Sequence, residues 1–521
     1  MKHKFIIICV GALISHSISF ASGRTPNNAD SFNSNRTQQQ SINPDSVPAQ
    51  RPGAGTAIYF DGISQHANLS TAVLANATKF TIEFWIKTTE NRSSDIFWQR
   101  PTMIGNETVN APSNDFGITT DKGRVGMWSG LNYHGDNFML TNTSINDNRW
   151  HHIAAVNNGE IIVLYVDGIL QNGHISSGLK LITTYYALSI GASNSFNKNG
   201  AGFYHQGLYD EVRIWDAPLS TQEIRDRMCH KISPSDSLYS HLVAYYNFDD
   251  VSTYSTFDVV THEYDAELKK WPQRGESGAP IGDTSVNAYM YSSDAKSLTI
   301  TAASGETLQV TTSLGRNRGL HLFVVNENPL DTAGIKLLCA QNKYFGIFSV
   351  AKGDPLYSAT YNYSSNNCVT VTNENNLRIY EKPYLGQSDW LQLPYSPDAG
   401  TGTITISGVH RYNARFILGI DSTSNAISNN TDLIKSTTLA ANITLSPNPA
   451  SAFLHVQLNS LAKEDGAFIT RIVDQNDKEV WKSLTPQNNL VIDVHAFAQG
   501  VYFIQFVSHQ GTVTKKFIVS R

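Results

Sequence analysis

The chain has 521 residues, too many for one hydrophobic core, so about three domains are expected. Its formal net charge is −5 and it has no Lys/Arg run, which argues against a nucleic-acid partner. Aromatic and β-branched residues are plentiful, and Asn, Ser, Thr and Gly fill the gaps between short apolar runs, the composition of an all-β protein with many turns.

The first residues predict a secretory signal peptide over 1–21. Lys2 and Lys4 precede the apolar run Phe5 to Leu13, and the small residues Ser19 and Ala21 set a cleavage after Ala21. The run is too short to remain as a membrane anchor, and Cys9 leaves with it. No later segment is apolar for long enough to be a transmembrane helix. In an oxidising compartment Cys339 and Cys368, which lie in one predicted domain, are the expected disulfide pair; Cys229 is then free or buried. Three buried thiols are the alternative. No Cys/His spacing resembles a zinc site.

Residues 22–54 are rich in Asn, Ser, Gln and Pro and read as a disordered linker. A β-rich unit follows over 55–285. In Phe80 to Lys87 the residues Phe80, Ile82, Phe84 and Ile86 share one face, with Thr81, Glu83 and Lys87 on the other, which predicts a half-buried strand. Asp115 to Trp128 reads as a hairpin turning at Asp121-Lys122-Gly123. Ile161 to Val166 is apolar on both faces and ends at the turn Asp167-Gly168, and Tyr186, Leu188 and Ile190 form another inward row. Ser220 and Glu223 make a capping box, with Leu219 and Ile224 as a hydrophobic staple, for a helix running to about Met228. Leu242 to Phe248 is a further strand.

Taken in order, Ile58 to Gly62, Phe80 to Ile86, Trp150 to Ala154, Leu164 to Gly168 and Gly207 to Trp215 resemble the laminin-G-like, or concanavalin A-like, jelly-roll family with its pentraxin relatives. That resemblance implies a fold and leaves function open, because the fold serves lectins, adhesion modules, hydrolases and spacers. Glycosidases of this superfamily place carboxylates at alternating strand positions, and no such stretch occurs here; Asp210 and Glu211 are adjacent and are expected on opposite faces. Asp210 is expected to share a face with Val212 and Ile214. A carboxylate there either takes backbone N–H groups or joins Asp61 in a structural Ca²⁺ site. His151 and His152 are expected to be structural strand residues. Glycan binding requires aromatics with polar neighbours, and Trp98, Trp128, Tyr133, His134 and Tyr204 are the candidates; core or rim packing is the alternative for each.

Residues 286–435 read as a second β-sandwich of no recognised family. Its many tyrosines (Tyr357, Tyr361, Tyr363, Tyr380, Tyr384 and Tyr395) and Trp390 form either a recognition surface or a core rim. Over 443–521, Ile443 to Ala450 with its Pro-Asn-Pro-Ala, Gly500 to Ile504 and Lys515 to Val519 resemble the C-terminal sorting domain of the type IX secretion system, a small immunoglobulin-like β-sandwich. The resemblance implies passage through the periplasm and out of the cell by that machinery, ending in release or surface attachment. The leading expectation is an exported non-catalytic protein that binds glycans or matrix polymers. The alternatives are a secreted polysaccharide hydrolase and a structural protein-docking component.

Overall fold

The computed structural model describes residues 53–520, apart from 70–72, 108–114, 131–136, 177–187, 196–199, 339–342, 383–389, 421–442, 459–468 and several stretches of five residues or fewer. The signal-peptide and linker expectations lie outside the described residues, as do Cys339, Tyr133, His134, Tyr186 and Tyr384. Among the described residues no helix is long and apolar enough to cross a membrane.

The protein is all-β. Its first sandwich contains β1 (Thr56–Asp61), β2 (His66–Asn68), β3 (Phe80–Lys87), β4 (Thr102–Glu107), β5 (Phe116–Asp121), β6 (Arg124–Ser129), β7 (Asn137–Ser144), β8 (Trp150–Asn157), β9 (Ile161–Val166), β10 (Ile169–Leu170), β11 (Ile175–Ser176), β12 (Ser189–Ile190), β13 (Ser193–Ser195), β14 (Gly200–Gly202) and β15 (Gln206–Trp215). After the helix α1 (Thr221–Arg227) come β16 (Leu242–Tyr246), β17 (Ser255–Thr256), β18 (Ala266–Lys269) and β19 (Gln273–Glu276). One sheet, here the front sheet, runs β10-β9-β8-β3-β15-β1-β19, with β16 beside β15; the back sheet runs β17-β18-β2-β12-β4-β5-β6-β7. Phe80, Ile82, Phe84 and Ile86 of β3 meet Ile104, Ile118 and Met127 of the back sheet in the core between them. The hairpin of β5 and β6 turns at Lys122 and Gly123, both with positive φ. The capping box of α1 forms as the sequence predicts: Glu223 N donates to Ser220 Oγ and Ser220 N to Glu223 Oε2.

The second sandwich contains β20 (Asn287–Met290), β21 (Ser297–Thr301), β22 (Thr307–Thr312), β23 (Asn317–Val325), β24 (Tyr344–Ala351), β25 (Tyr357–Asn362), β26 (Leu377–Lys382), β27 (Leu391–Gln392), β28 (Thr403–Val409) and β29 (Asn413–Ile420). A six-stranded sheet, β20-β23-β24-β29-β26-β27, faces a four-stranded one, β21-β22-β25-β28. Tyr357, Tyr361 and Tyr363 point into this core. The third sandwich pairs β30 (Ile443–Ser446), β31 (Phe453–Leu458) and β34 (Asn489–Asp493) in one sheet. Its other sheet holds β32 (Ile469–Asp474), β33 (Glu479–Ser483), β35 (Gly500–Ser508) and β36 (Gly511–Val519). Leu454, Ile472, Ile504 and Phe517 are in its core.

β3 is not half-buried as its alternation predicts. Both of its faces are covered, because the six-stranded sheet of the second sandwich lies over the front sheet. Trp85, Trp150 and Met228 form one apolar cluster with Phe323, Phe348, Tyr380 and Trp390. Trp85 and Phe348 meet edge-on with ring centroids 5.1 Å apart, and Trp85 Nε1 donates to Met228 O at 2.7 Å. Polar contacts close the rim of this interface: Lys382 Nζ donates to Glu276 Oε2 at 3.0 Å, and Asn413 Nδ2 donates to Gly278 O at 2.8 Å.

The polar members of the covered face answer one another. Glu83 accepts from Trp215 Nε1 at 3.1 Å and lies 3.6 Å from Arg213 Nη1 and 3.4 Å from His152 Nε2. Burial pushes its carboxyl up, but His152 and Arg213 outweigh that and hold it below the usual range. Arg213 also reaches Glu211 at 2.6 Å and donates to the carbonyls of Arg227 and His230. The register of β15 on β3 slips between Asp210 and Arg213, and Glu211 takes φ 52°. This bulge corrects the expected alternation. Val212 and Ile214 face the core with Tyr209, while Asp210 pairs opposite Trp85 on the covered face and accepts from Ser277 Oγ at 2.5 Å. Burial, then Glu211, push the Asp210 carboxyl well above the ordinary range. Replacing Arg213 with Met removes the guanidinium that pairs Glu211 and shares Glu83 with His152, and should cost about 3–5 kcal/mol of unfolding free energy. Asp210→Asn, in a pocket that already disfavours the charged form, should cost about 1 kcal/mol. Urea unfolding checks both, and equal losses would contradict this reading.

Candidate functional site

The largest exposed aromatic of the first sandwich sits on a rim built by four chain segments. β1 ends at Asp61, whose Oδ1 accepts the amides of Ile63, Ser64 and Gln65 at 2.8, 2.9 and 2.9 Å. Burial pushes this carboxyl up, but those amides outweigh it and hold it below its ordinary value. Gly62 turns the chain with φ +71°, and a Cβ there would meet Arg92 Nη2 and Gln206 Cβ at 2.9 Å. Arg92 joins the segments: Nη1 donates to Gly62 O at 3.0 Å, Nη2 donates to Tyr204 O at 2.7 Å, and the guanidinium is paired with Glu90. Burial raises the Glu90 carboxyl, but Arg92 brings it down to about 2, so the clamp is charged at neutral pH.

The fourth segment is the turn between β18 and β19. Lys269 pairs with His66 and Gln273 with Tyr59, which brings Lys270 and Trp271 beside Gln65. Gln65 Nε2 donates to both of their carbonyls, at 3.2 and 3.4 Å. Lys270 and Trp271 have φ 63° and 53°, a left-handed pair without a glycine. Such conformations cost about 1–3 kcal/mol each and persist where surrounding structure imposes them. Trp271 is 62% exposed. The other rim segments carry Ile63, 76% exposed, Tyr59, 37% exposed with its hydroxyl accepting from Gln206 Nε2, and Tyr204, whose ring is 5.6 Å from that of His66.

The sequence-predicted candidates divide among several places. Tyr204 and Asp61 belong to the rim. Trp98 and Trp128 share a separate aromatic cluster on the outer face of the back sheet, where Phe97 meets Trp98 edge-on at 4.8 Å and lies 6.3 Å from Trp128. Trp128 is only 2% exposed, and its Nε1 has no hydrogen-bond partner. Asp61 and Asp210 do not fit one Ca²⁺ site. They share no partner, and pairing of Asp61 with Gln206 and Ile58 with Tyr209 keeps them about 13 Å apart along β1. Among the described residues no three His, Cys, Asp or Glu side chains gather as for a metal. Trp271 was missed because Lys269-Lys270-Trp271-Pro272 carries no strand periodicity; an isolated tryptophan before a proline was its only signal.

Residues 61–225 match the family model of the concanavalin A-like lectin/glucanases superfamily, and 444–520 match that of the secretion system C-terminal sorting domain. The chain carries a concanavalin A-like domain and a type IX export tail. The sorting domain marks it for export to the cell surface or beyond. No curated protein matches the chain. Among solved structures it is similar to a candidate carbohydrate binding protein from Bacteroides ovatus, at 16% identity and TM-score 0.33, covering 44% of this chain and 61% of that one. The chain thus spans less than two thirds of that protein's length. It is also similar to the heptameric SAP-like pentraxin of Limulus polyphemus (14% identity, TM-score 0.25, covering 33% of this chain and 80% of that one). The mouse laminin α1 chain domains LG4-5 match at 10% identity and TM-score 0.25, covering 74% of this chain and 88% of that one.

On the other side of the concanavalin A-like domain, His151 lies between two carboxylates that sequence reading did not assign to it. Its Nδ1 is 2.8 Å from Asp167 Oδ2, and its Nε2 is 3.1 Å from Asp147 Oδ1. Burial alone would push the imidazole down, but Asp167 and Asp147 outweigh this and push it up to about 10. At neutral pH the ring is therefore a cation with both nitrogens engaged, and it has no lone pair with which to act as a general base. Because the folded value lies above the ordinary one, the stabilisation is full below pH 6.5 and is lost as pH rises toward about 10. Thermal unfolding from about pH 7 to about pH 10 should show a falling midpoint that flattens in His151→Asn. An identical slope in the two proteins would contradict the assignment.

Proposed function

We propose that this exported protein is a surface or secreted binding protein that engages glycans or matrix-like polymers through the rim around Trp271. The reading is supported above all by Trp271 itself, a mostly exposed indole on a left-handed turn whose two carbonyls are held by Gln65. Sugar rings offer apolar C–H faces that stack on aromatic surfaces, while their hydroxyls need amides and carboxylates. Trp271, Tyr59 and Tyr204 supply the first, and Gln206, Gln65 and Asp61 the second. The Arg92 clamp fixes the loops before a ligand arrives, which lowers the ordering cost of binding. The second sandwich and α1 cover much of the outer face of the front sheet, and the rim at the end of β1 keeps exposed side chains. The fold alone is compatible with lectins and glucanases alike, so the reading rests on this local geometry.

A disulfide between Cys339 and Cys368 belongs to the same proposal. It is supported by Cys368 being disulfide-bonded and by Cys229 being a free, buried thiol.

The intact mature chain should bind at least one polysaccharide on a glycan panel, and Trp271→Ala should weaken that binding about tenfold, ~1.4 kcal/mol, with the unfolding midpoint unchanged. Absence of binding across the panel, or equal binding by the variant, would overturn the proposal.

A further inference from the structure

Between the concanavalin A-like domain and the second sandwich runs a groove of about 500 Å³, within the size range of small-molecule sites. One wall comes from the end of β7, the start of β8 and the turn between β9 and β10; the other comes from β23, β24 and Tyr412. We propose that this groove is a second saccharide site, selective for anionic sugars that carry a carboxylate or a sulfate.

Charge is the first argument. The lining holds three cationic side chains, Arg149, His151 and Arg318, against two carboxylates, Asp147 and Asp167. Both carboxylates are engaged by His151, and Asp147 lies 3.5 Å from Arg149 as well. Arg318 is exposed and has no ion-pair partner among the described residues. A guanidinium is the group best matched to a planar carboxylate or a sulfate, because its parallel N–H donors can hold two oxygens at once. Rigidity is the second argument. Arg149 is stacked over Tyr412 at 3.6 Å, so it is held in place across the two walls. The Asp167-Gly168 turn is fixed by Tyr291, whose hydroxyl donates to Asp167 O at 2.8 Å, and a Cβ on Gly168 would sit 2.3 Å from that hydroxyl. Gln171, Asn142 and Ser144 add neutral polar groups of the kind that sugar hydroxyls need.

Because the groove and the rim share no residue, the two sites can be separated by experiment. Isothermal titration of the intact mature chain with three probes makes the test: a galacturonate trimer, a sulfated disaccharide and neutral maltotriose. At least one anionic probe should bind, weaken when salt is raised, and lose about tenfold in affinity in Arg318→Gln while Trp271→Ala leaves it unchanged. Arg149→Gln should act the same way, with its unfolding midpoint measured to separate lost contacts from lost folding. Binding of the galacturonate trimer alone would assign the ligand anion as a carboxylate, and of the sulfated disaccharide alone as a sulfate. Failure of both anionic probes, equal binding of maltotriose, or indifference to Arg318→Gln would overturn the proposal and leave the rim reading untouched.

Discussion

A sheet with two apolar faces must be covered twice. The front sheet of the concanavalin A-like domain meets that condition at β3, where Phe84 looks into the sandwich and Trp85 looks away from it, both fully buried. The helix α1 with Leu219, Ile232 and Leu242 covers one part of the outer face, and the second sandwich covers the rest. Burying a side chain of this size is worth roughly 1.5–3 kcal/mol, and several large rings take part, so the second sandwich is better described as part of this domain's core than as a spacer. What remains open follows from what is covered: the rim at the end of β1, and the groove where the two bodies meet without filling the space.

The covered face also carries ions, and their arrangement explains the irregularity of β15. A buried arginine is costly unless its charge is paired. Glu83 and Glu211 pair the charge of Arg213, and Glu211 and two backbone carbonyls accept from its Nη groups, while its Nε has no partner; the bulge brings Glu211 within reach. The left-handed backbone at Glu211 is thus a local cost set against the closer of the two ion pairs of the buried guanidinium. A network of this kind adds little net stability over an apolar core.

Much of the fold was legible because its signals are local. Alternation marked the inward row of β3, Lys122-Gly123 marked the hairpin of β5 and β6, Ser220 and Glu223 marked the helix start, and the chain's last strands marked the export tail. The features that were missed depend on contacts distant in sequence. Trp85 stood in a row read as solvent-facing, and only the second sandwich makes that row a core. The bulge at Glu211 leaves no periodic trace and reverses the face assigned to Asp210. Asp167 reaches His151 because β8 and β9 form a hairpin, pairing Ile153 with Val166, a partner that the hairpin register could have revealed. Trp128, a candidate by its aromatic character, proved buried, whereas Trp271 owes its exposure to a turn whose shape no propensity scale would assign to Lys-Trp.

The shared core is the claim on which the rim and the groove both depend, and native-state hydrogen exchange on the intact mature chain addresses it most directly. The amides of β3 and of β24, one on each side of the Trp85–Phe348 contact, should open with the same free energy and respond identically to low denaturant, as parts of one cooperative unit. If β24 instead exchanged through a separate, lower-energy opening while β3 stayed protected, the second sandwich would be an independent neighbour and the account of the covered sheet would be wrong.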